Sequence, residues 1–399
     1  MAPGTNCALA DIGVPTWDRS CVVVPQDLKQ LTTLRFFAAM WVVLFHYWPS
    51  LGIAMPALLA KGYLGVELFF TLSGFILCHV YLARFGAERF HYAEFLWARL
   101  ARVYPVHLVT LLGMGALALG AAALGLSAGN KLLIWPSLIP NLLLMQAWGF
   151  APGGGWNHPS WSISAEWFAY LMFPLFAAGA WRMRTRPGLA LVCAIGLLIT
   201  VYEGFFCVAG FPLTQATIAW GALRVTPCFA LGCTIYLVWR RGVLATAPGA
   251  IGATLASLLA AVGLAAVGAP DWATVTAFAG LILGLAAMAG ARVRAFSGRV
   301  WVYLGEVSFC VYMVCIPWMQ VFENGGRKLL HLQGDALPLA LWMAMLAGVV
   351  PAAMALHHLV ERPARTLMRR HGVPFTRRTA GGGHAGGASP HRGEPIFHR

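Results

Sequence analysis

Apolar residues along this chain gather in long blocks and do not alternate with polar ones. Windows of about 20 apolar residues, the length that crosses a bilayer as a helix, fall at 32–53, 63–84, 104–126, 161–181, 188–210, 215–239, 245–268, 271–291, 300–322 and 337–360. The pattern predicts an all-α polytopic membrane protein with about ten transmembrane helices. A shorter run at 132–148, LLIWPSLIPNLLLMQAW, contains Pro136, Pro140, Asn141 and Gln146. Prolines and amides fit a broken or re-entrant segment better than an eleventh span.

Composition points the same way. Of 399 residues, 59% are hydrophobic and only 11% charged, and the mean hydropathy is +0.70. A soluble protein would need more charge to cover its surface. Residues 1–30 hold Asp11, Asp18, Arg19, Asp27 and Lys29 and lack the apolar core of a cleavable signal peptide. None of the nine cysteines forms a CxxC pair. Cys228, Cys233, Cys310 and Cys315 lie in apolar runs and read as small hydrophobes, so neither a metal site nor a disulfide framework is expected.

The net charge of +14 punctuates the apolar runs and forms no nucleic-acid-like patch, which makes it a topology signal. Ten spans with a cytoplasmic N-terminus gather Arg19, Lys29, Arg35, Arg84, Arg89, Arg99, Arg102, Arg182, Arg184, Arg186, Arg240, Arg241, Arg292, Arg294, Arg299 and the eight arginines from Arg362 to Arg399 on one side. The other side keeps Lys61, Lys131, Arg327 and Lys328. The positive-inside rule then predicts a multi-pass protein of the cell inner membrane with both termini cytoplasmic. The expected organisation is a cytoplasmic segment 1–30, a membrane domain 31–368 and a disordered basic cytoplasmic tail 369–399, with no internal repeat.

Ionisable residues inside a membrane are expensive and mark function by default. Here they are His46, Glu67, Glu166, Glu203 and Arg224, with Arg35 and Glu306 near the inner boundary. His46 follows Arg35 by eleven positions, with ten residues between them, in RFFAAMWVVLFH. On a helix that is about three turns and about 16 Å, which puts both on one face, the arginine at a membrane surface and the histidine near the bilayer centre. His46 is either a packing histidine or a general base that a low dielectric keeps neutral and ready to accept a proton.

In VELFFTLSG, Glu67 shares a face with Thr71, Gly74 and Cys78, small partners that let another helix approach. Glu67 either pairs with Arg224 or joins a polar cavity with Glu166 and His46, three groups whose depths converge in the outer half. Glu203 and Arg224 are also candidates to neutralise each other. Arg99 shares a face with Tyr92, Leu96 and Val103 and is therefore expected to turn into the protein, with Arg102 beside it. Paired arginines at an entrance suit phosphate groups, against the plainer reading as positive-inside anchors. His107, His158, His357 and His358 read as structural or interfacial.

Together these segments resemble a family. Arg35-x10-His46, GYLGVELFFTLSGFIL, Arg99-x2-Arg102-x2-Pro105, WSISAEW, ALRVTPCFALG, YLGEVSFCVYM and LVERPA are similar, in order from about residue 30 to 368, to the integral membrane acyltransferase 3 family. That resemblance implies about ten spans. It also implies transfer of acyl groups, often acetyl from acetyl-coenzyme A, onto hydroxyls of surface glycans or secreted small molecules. It gives the catalytic role to His46 with Arg35 as its motif partner, and functional roles to Glu67, Ser73, Arg99, Arg102, Glu166, Arg224 and Glu361. It implies a stand-alone membrane domain without the SGNH-hydrolase domain of some members. Glu67 replaces the family's more usual aspartate, and Phe309 stands where many members have tyrosine.

The expected enzyme is thus an O-acyltransferase with His46, Glu166 and Glu67 at the reacting centre. Arg35, Arg99 and Arg102 would bind the acyl-CoA donor, and Glu67 or Glu166 would orient His46. The expected acceptor is a carbohydrate or lipid-linked glycan, in contact with membrane lipid and with no metal or nucleic acid involved. The rival reading is a proton-coupled transporter or exporter of an acylated or anionic metabolite, which would also carry buried charge and a broken segment.

Overall fold

The computed structural model describes residues 27–123, 133–332, 334 and 336–373, and among these all regular structure is helical. Most of the expected N-terminal segment, Lys131 and the tail beyond Val373 lie outside the described residues. The longer helices are α1 (Lys29–Tyr47), α2 (Gly65–Gly86), α3 (Tyr92–Ala123), α4 (Trp161–Leu171), α5 (Phe173–Met183) and α6 (Pro187–Ala209). They continue with α7 (Gly221–Arg240), α8 (Ala247–Ala266), α9 (Asp271–Gly290), α10 (Arg299–Gln320), α11 (Leu339–Leu356) and α12 (Arg362–His371).

Eight of these spans are long and apolar enough to cross a membrane: α2, α3, α6, α7, α8, α9, α10, and α11 with its continuation into α12. The α4–α5 pair supplies a ninth, bent by 58°. Pro174, which lacks an N–H, opens α5 at that bend, and the Tyr92 hydroxyl donates to the Leu171 carbonyl there at 2.8 Å. α1 is the tenth. Lys29, Gln30, Arg35 and His46 lower its hydropathy, but its 19 residues rise about 28 Å, close to the hydrocarbon thickness.

The segment after residue 132 does not cross. It forms a short helix at Leu138–Leu142 and an irregular turn at Gln146–Phe150, held against its neighbours by polar groups. His107 Nε2 bonds the Asn141 carbonyl oxygen at 2.8 Å, Ser164 Oγ accepts the Ala147 N–H at 3.0 Å, and Trp148 Nε1 donates to the Ser164 carbonyl at 2.9 Å. Irregular backbone at membrane depth survives only when protein satisfies it in this way.

The contacts define two ends. At one, Gln30 donates to the Val293 carbonyl at 2.7 Å, Thr33 to that of Phe296 at 2.8 Å, and Arg241 to that of Thr185 at 2.9 Å. The connections there carry Arg84, Arg89, Arg182, Arg184, Arg186, Arg292 and Arg294, so this is the basic end. At the opposite end Lys61 pairs with Asp271 at 2.6 Å, and the Trp342 indole donates to the Tyr47 carbonyl at 2.8 Å.

α7 is the hub, packed against α2, α4, α6 and α9, and with α2 and α9 it is among the most buried helices. Lipid offers no hydrophobic drive between helices, so close backbone approach has to supply the packing. Glycines make it possible. A Cβ on Gly74 of α2 would collide with the Phe229 carbonyl of α7, and one on Gly232 of α7 would collide with the Thr71 carbonyl of α2. One helical layer away, the same two helices are clasped by charge. Glu67 takes the guanidinium of Arg224 through both oxygens, Nη2 to Oε2 at 3.0 Å and Nε to Oε1. Both side chains are buried, and Arg224 Nη1 also donates to the Ala216 carbonyl at 2.8 Å. This settles the pairing that the sequence left open: Arg224 belongs to Glu67, whereas Glu203 accepts from the Trp272 indole at 2.7 Å.

Gly232→Leu should lower the melting temperature of the purified protein sharply or stop it accumulating. Gly252→Leu on α8, where a side chain meets open space, should leave it unchanged. Removing one partner of the buried pair by Arg224→Leu should cost about 3–5 kcal/mol. The double variant Glu67→Leu/Arg224→Leu should recover most of that loss, because it strands no charge. A double variant as unstable as the single one would show that the pair holds nothing beyond its own volume.

Candidate active site

Among the described residues, polar side chains within the bundle fall into three main assemblies, of which the α2–α7 clasp is one. The second centres on Arg35. This residue lies two turns into α1, half-buried, within electrostatic reach of Arg102 on α3, Glu166 and Tyr170 on α4, and Glu361 in the helical turn between α11 and α12. Three other helical segments therefore converge on it. Ser73 of α2 donates to Glu166 Oε1 at 2.5 Å, and Tyr170 lies beside the same carboxylate one turn further along α4. Arg99 stands over the ring of Tyr81 at 5.8 Å and contacts its hydroxyl at 3.5 Å, while its Nε is buried without a hydrogen-bond partner.

Glu361 is held from several directions. His357 Nδ1 reaches its Oε2 at 2.7 Å, the Cys310 thiol donates to the same oxygen at 3.2 Å, and Arg365 Nη1 lies 3.8 Å from Oε1. Cys310, His357 and Glu361 thus offer three ligand atoms within 4.8 Å of one another. Arg102 and Arg365 face that carboxylate, and the two guanidiniums already supply the positive charge a divalent ion would bring. The arrangement reads as a clamped counter-ion.

The third assembly lies near the other end of α1. The sequence pattern put His46 at the bilayer centre, but α1 stops one residue later, at Tyr47, because Pro49 opens a tight turn over Trp48–Leu51. His46 is therefore closer to the opposite end, and Arg35 is drawn inward from the surface to the interior cluster. Two hydrogen bonds set the position. The Tyr47 hydroxyl donates to the Cys315 carbonyl of α10 at 2.9 Å, and Asn157 Nδ2 donates to the Met313 carbonyl of the same helix at 3.0 Å. These anchors sit next to His46 and His158 in sequence and grip one turn of α10, which brings the two imidazoles close enough for their charges to interact.

His158 is exposed, and its ring lies close to Gly154, where a Cβ would come within 3.1 Å of the ring. His46 is half-buried, edge-on to Phe45, and makes no hydrogen bond with another described side chain or carbonyl. A neutral imidazole placed in this way keeps a free nitrogen for a proton or an acyl group.

The expected convergence of Glu67, Glu166 and His46 is not how these groups are arranged. Glu67 is spent on Arg224, and Glu166 on Ser73 at the Arg35 cluster; neither hydrogen-bonds His46. Depth alone could not separate them, since similar heights on different helices still leave side chains pointing to different neighbours. Between Arg35 and His46 the shared face of α1 is filled by Ala39 and Val42, both packed.

Two residues that the sequence pattern assigns only structural or interfacial places, His158 and His357, stand in these assemblies. A signal existed for each. His357 lies four residues before Glu361, one helical turn on the same face, and His158 follows shortly after three glycines and directly precedes Pro159 in front of WSISAEW.

The comparisons with known proteins fit this geometry. A family model described as an acyltransferase domain matches residues 28–358. The chain is 32% identical to acyltransferase MdmB of Streptomyces mycarofaciens over 372 residues, which is 86% of this chain and 93% of that protein. It is 25% identical over 318 residues to the exopolysaccharide production protein ExoZ of Rhizobium meliloti, covering 77% of this chain and 90% of the relative. It is also 35% identical over 190 residues to protein 2 in the picA locus of Rhizobium radiobacter, covering 45% of this chain and 97% of that protein. No solved structure matches the chain. This helical bundle with an unpartnered imidazole and an arginine cluster, matched from residue 28 to 358 by the family model, belongs to the acyltransferase 3 family of membrane acyltransferases.

Proposed function

We propose that the enzyme moves an acyl group, acetyl in the simplest case, from acyl-coenzyme A to a hydroxyl of a surface or exported glycan, working in the cell inner membrane with the basic end in the cytoplasm. The observation that carries this reading is the charge imbalance around Arg35. Arg35, Arg99, Arg102, Arg365 and Arg369 gather around three carboxylates, Glu166, Glu306 and Glu361, so the cluster keeps surplus positive charge. Such a surplus is costly unless an anion completes it. Phosphates are the natural partner for forked guanidiniums, and the positive-inside rule turns this end toward the compartment that holds coenzyme A esters.

The donor's phosphates then rest on Arg99 and Arg102, with Arg35 behind them, and its thioester points along α1 toward His46. His46 removes the proton from the acceptor hydroxyl as that oxygen attacks the thioester carbonyl. The carbon–sulfur bond breaks, and the departing thiolate takes up the proton from the imidazolium. The alternative chemistry places the acyl group on His46 itself before transfer. His158, exposed beside His46 on the opposite end, lines the acceptor's side. Because Ala39 and Val42 fill the direct face, the thioester passes when helices beside α1 part, a motion of the kind that gates many enzymes. The glycan assignment leans on the likeness to ExoZ, whose name links it to exopolysaccharide production.

Membranes supplied with acetyl-coenzyme A and candidate glycans should release coenzyme A thiol, and His46→Ala should reduce that release by about 10²-fold or more. Undiminished release in this variant would remove the catalytic assignment. Arg102→Gln should act differently, raising the KM for acetyl-coenzyme A by roughly tenfold or more through the loss of one charge-assisted phosphate contact, with kcat much less affected. An unchanged donor KM would place the phosphates elsewhere.

A further inference from the structure

Between α5, α6 and α7 runs an apolar groove of about 500 Å³. It begins at Met172, where the 58° bend swings α5 away from the line of α4, and follows α5 past Gly179 to Met183 at the basic end. Ala194 of α6 and Ala230 of α7 form its floor. Two hydroxyls border it, and both are satisfied within their own helix: Thr226 donates to the Ala222 carbonyl and Thr234 to that of Leu231, each at 2.8 Å. Neither hydroxyl proton is left to hold water or a sugar. An empty space of this size among membrane helices would forfeit dispersion contacts on every wall, and an apolar lining of this kind suits a lipid chain.

The rim identifies which lipid. The groove ends beneath the turn that joins α5 to α6; Arg182 stands in the last turn of α5 and Arg184 and Arg186 in the connection, and of these Arg182 and Arg186 are exposed. Arg241, at the end of α7, donates to the carbonyls of Arg184 at 3.3 Å and Thr185 at 2.9 Å, fixing the turn over the groove's mouth. From Trp167 to Pro270 the chain contains one acidic residue, Glu203, which lies toward the other end of α6 on the Trp272 indole. The mouth is therefore cationic, with no acidic residue from its own stretch of chain to balance it.

We propose that this groove is a site for an anionic phospholipid of the leaflet at the basic end, with one acyl chain between α5, α6 and α7 and its phosphate at Arg182 and Arg186. The groove is separate from the acyl-transfer machinery. Phe168 and Met172 face it from α4 and the bend, whereas Glu166 and Tyr170, on the other side of the same helix, face the Arg35 cluster. The occupant is accordingly a resident lipid and not the donor's acyl chain, and the inference stands without the proposed reaction. Clamped there, a lipid would brace α5 against the bend and so support α4.

Native mass spectrometry of delipidated protein titrated with palmitoyl-oleoyl phosphatidylglycerol or the matching phosphatidylcholine tests the site. The first phosphatidylglycerol adduct should form at roughly tenfold lower lipid concentration than the first phosphatidylcholine adduct. Arg182→Gln/Arg186→Gln, on exposed positions that hold no packing, should erase that difference. Gly179→Phe, which projects into open space next to the floor, should remove the tight adduct while an unchanged melting temperature in detergent shows the fold intact. Equal affinity for the two lipids in the unaltered protein, or a tight adduct that survives both variants, would overturn the proposal.

Discussion

The bidentate pair between Glu67 and Arg224 is the constraint on which the remaining geometry rests. Two charges without access to water are tolerated only where each satisfies the other and the remaining donors find oxygen. Here Arg224 spends its third arm on the Ala216 carbonyl and lays its plane 4.6 Å from the Trp161 ring. The pair thus ties together three pieces of chain: α2 through Glu67, α7 through Arg224, and the start of α4 through Trp161. The reciprocal glycines Gly74 and Gly232 then bring the backbones of α2 and α7 into contact just beyond it. Once α2 and α4 are fixed against the same hub, Ser73 and Glu166 meet, and Glu166 is presented to Arg35. Glu67, which the sequence offers for the reacting centre, is in the folded chain paired with Arg224 between the helices that carry Ser73 and Glu166.

Much of the architecture was legible because bilayer thickness imposes one length on every span. The ten apolar windows correspond to α1, α2, α3, the α4–α5 pair and α6 to α11, and Pro136 and Pro140 marked the segment that does not cross. What the pattern could not fix was where a span stops within a longer apolar stretch. Trp48, Leu51 and Ile53 extend the window past Tyr47, but Pro49 ends the helix and moves His46 toward the opposite end. Pairing was less legible still. Glu203 and Glu67 were equally plausible partners for Arg224 by charge. The choice was made by the glycines that let α2 lie on α7, whereas Glu203 lies near the far end of α6, against α9. His158 escaped notice because its position comes from its neighbour Asn157, anchored on the Met313 carbonyl of a distant helix, which no local spacing announces.

The arginine cluster gains its meaning from what it lacks. Guanidiniums gathered within a membrane domain repel one another more than at an open surface, since water and salt screen partly buried charges less. Glu361 relieves part of that repulsion and does so rigidly: His357 and Cys310 hold one oxygen, Arg365 approaches the other, and the side chain is buried. Glu166, on α4, is steadied by Ser73 and relieves another part. Full neutralisation would have called for further acidic residues, and Glu67, the buried carboxylate of α2, is committed to Arg224 in the clasp between α2 and α7. The bundle therefore divides its few buried carboxylates between holding helices together and leaving the cluster incompletely balanced. An anion that arrives with its own phosphates completes that balance only while it is bound, which favours binding without building a permanent ion pair into the fold.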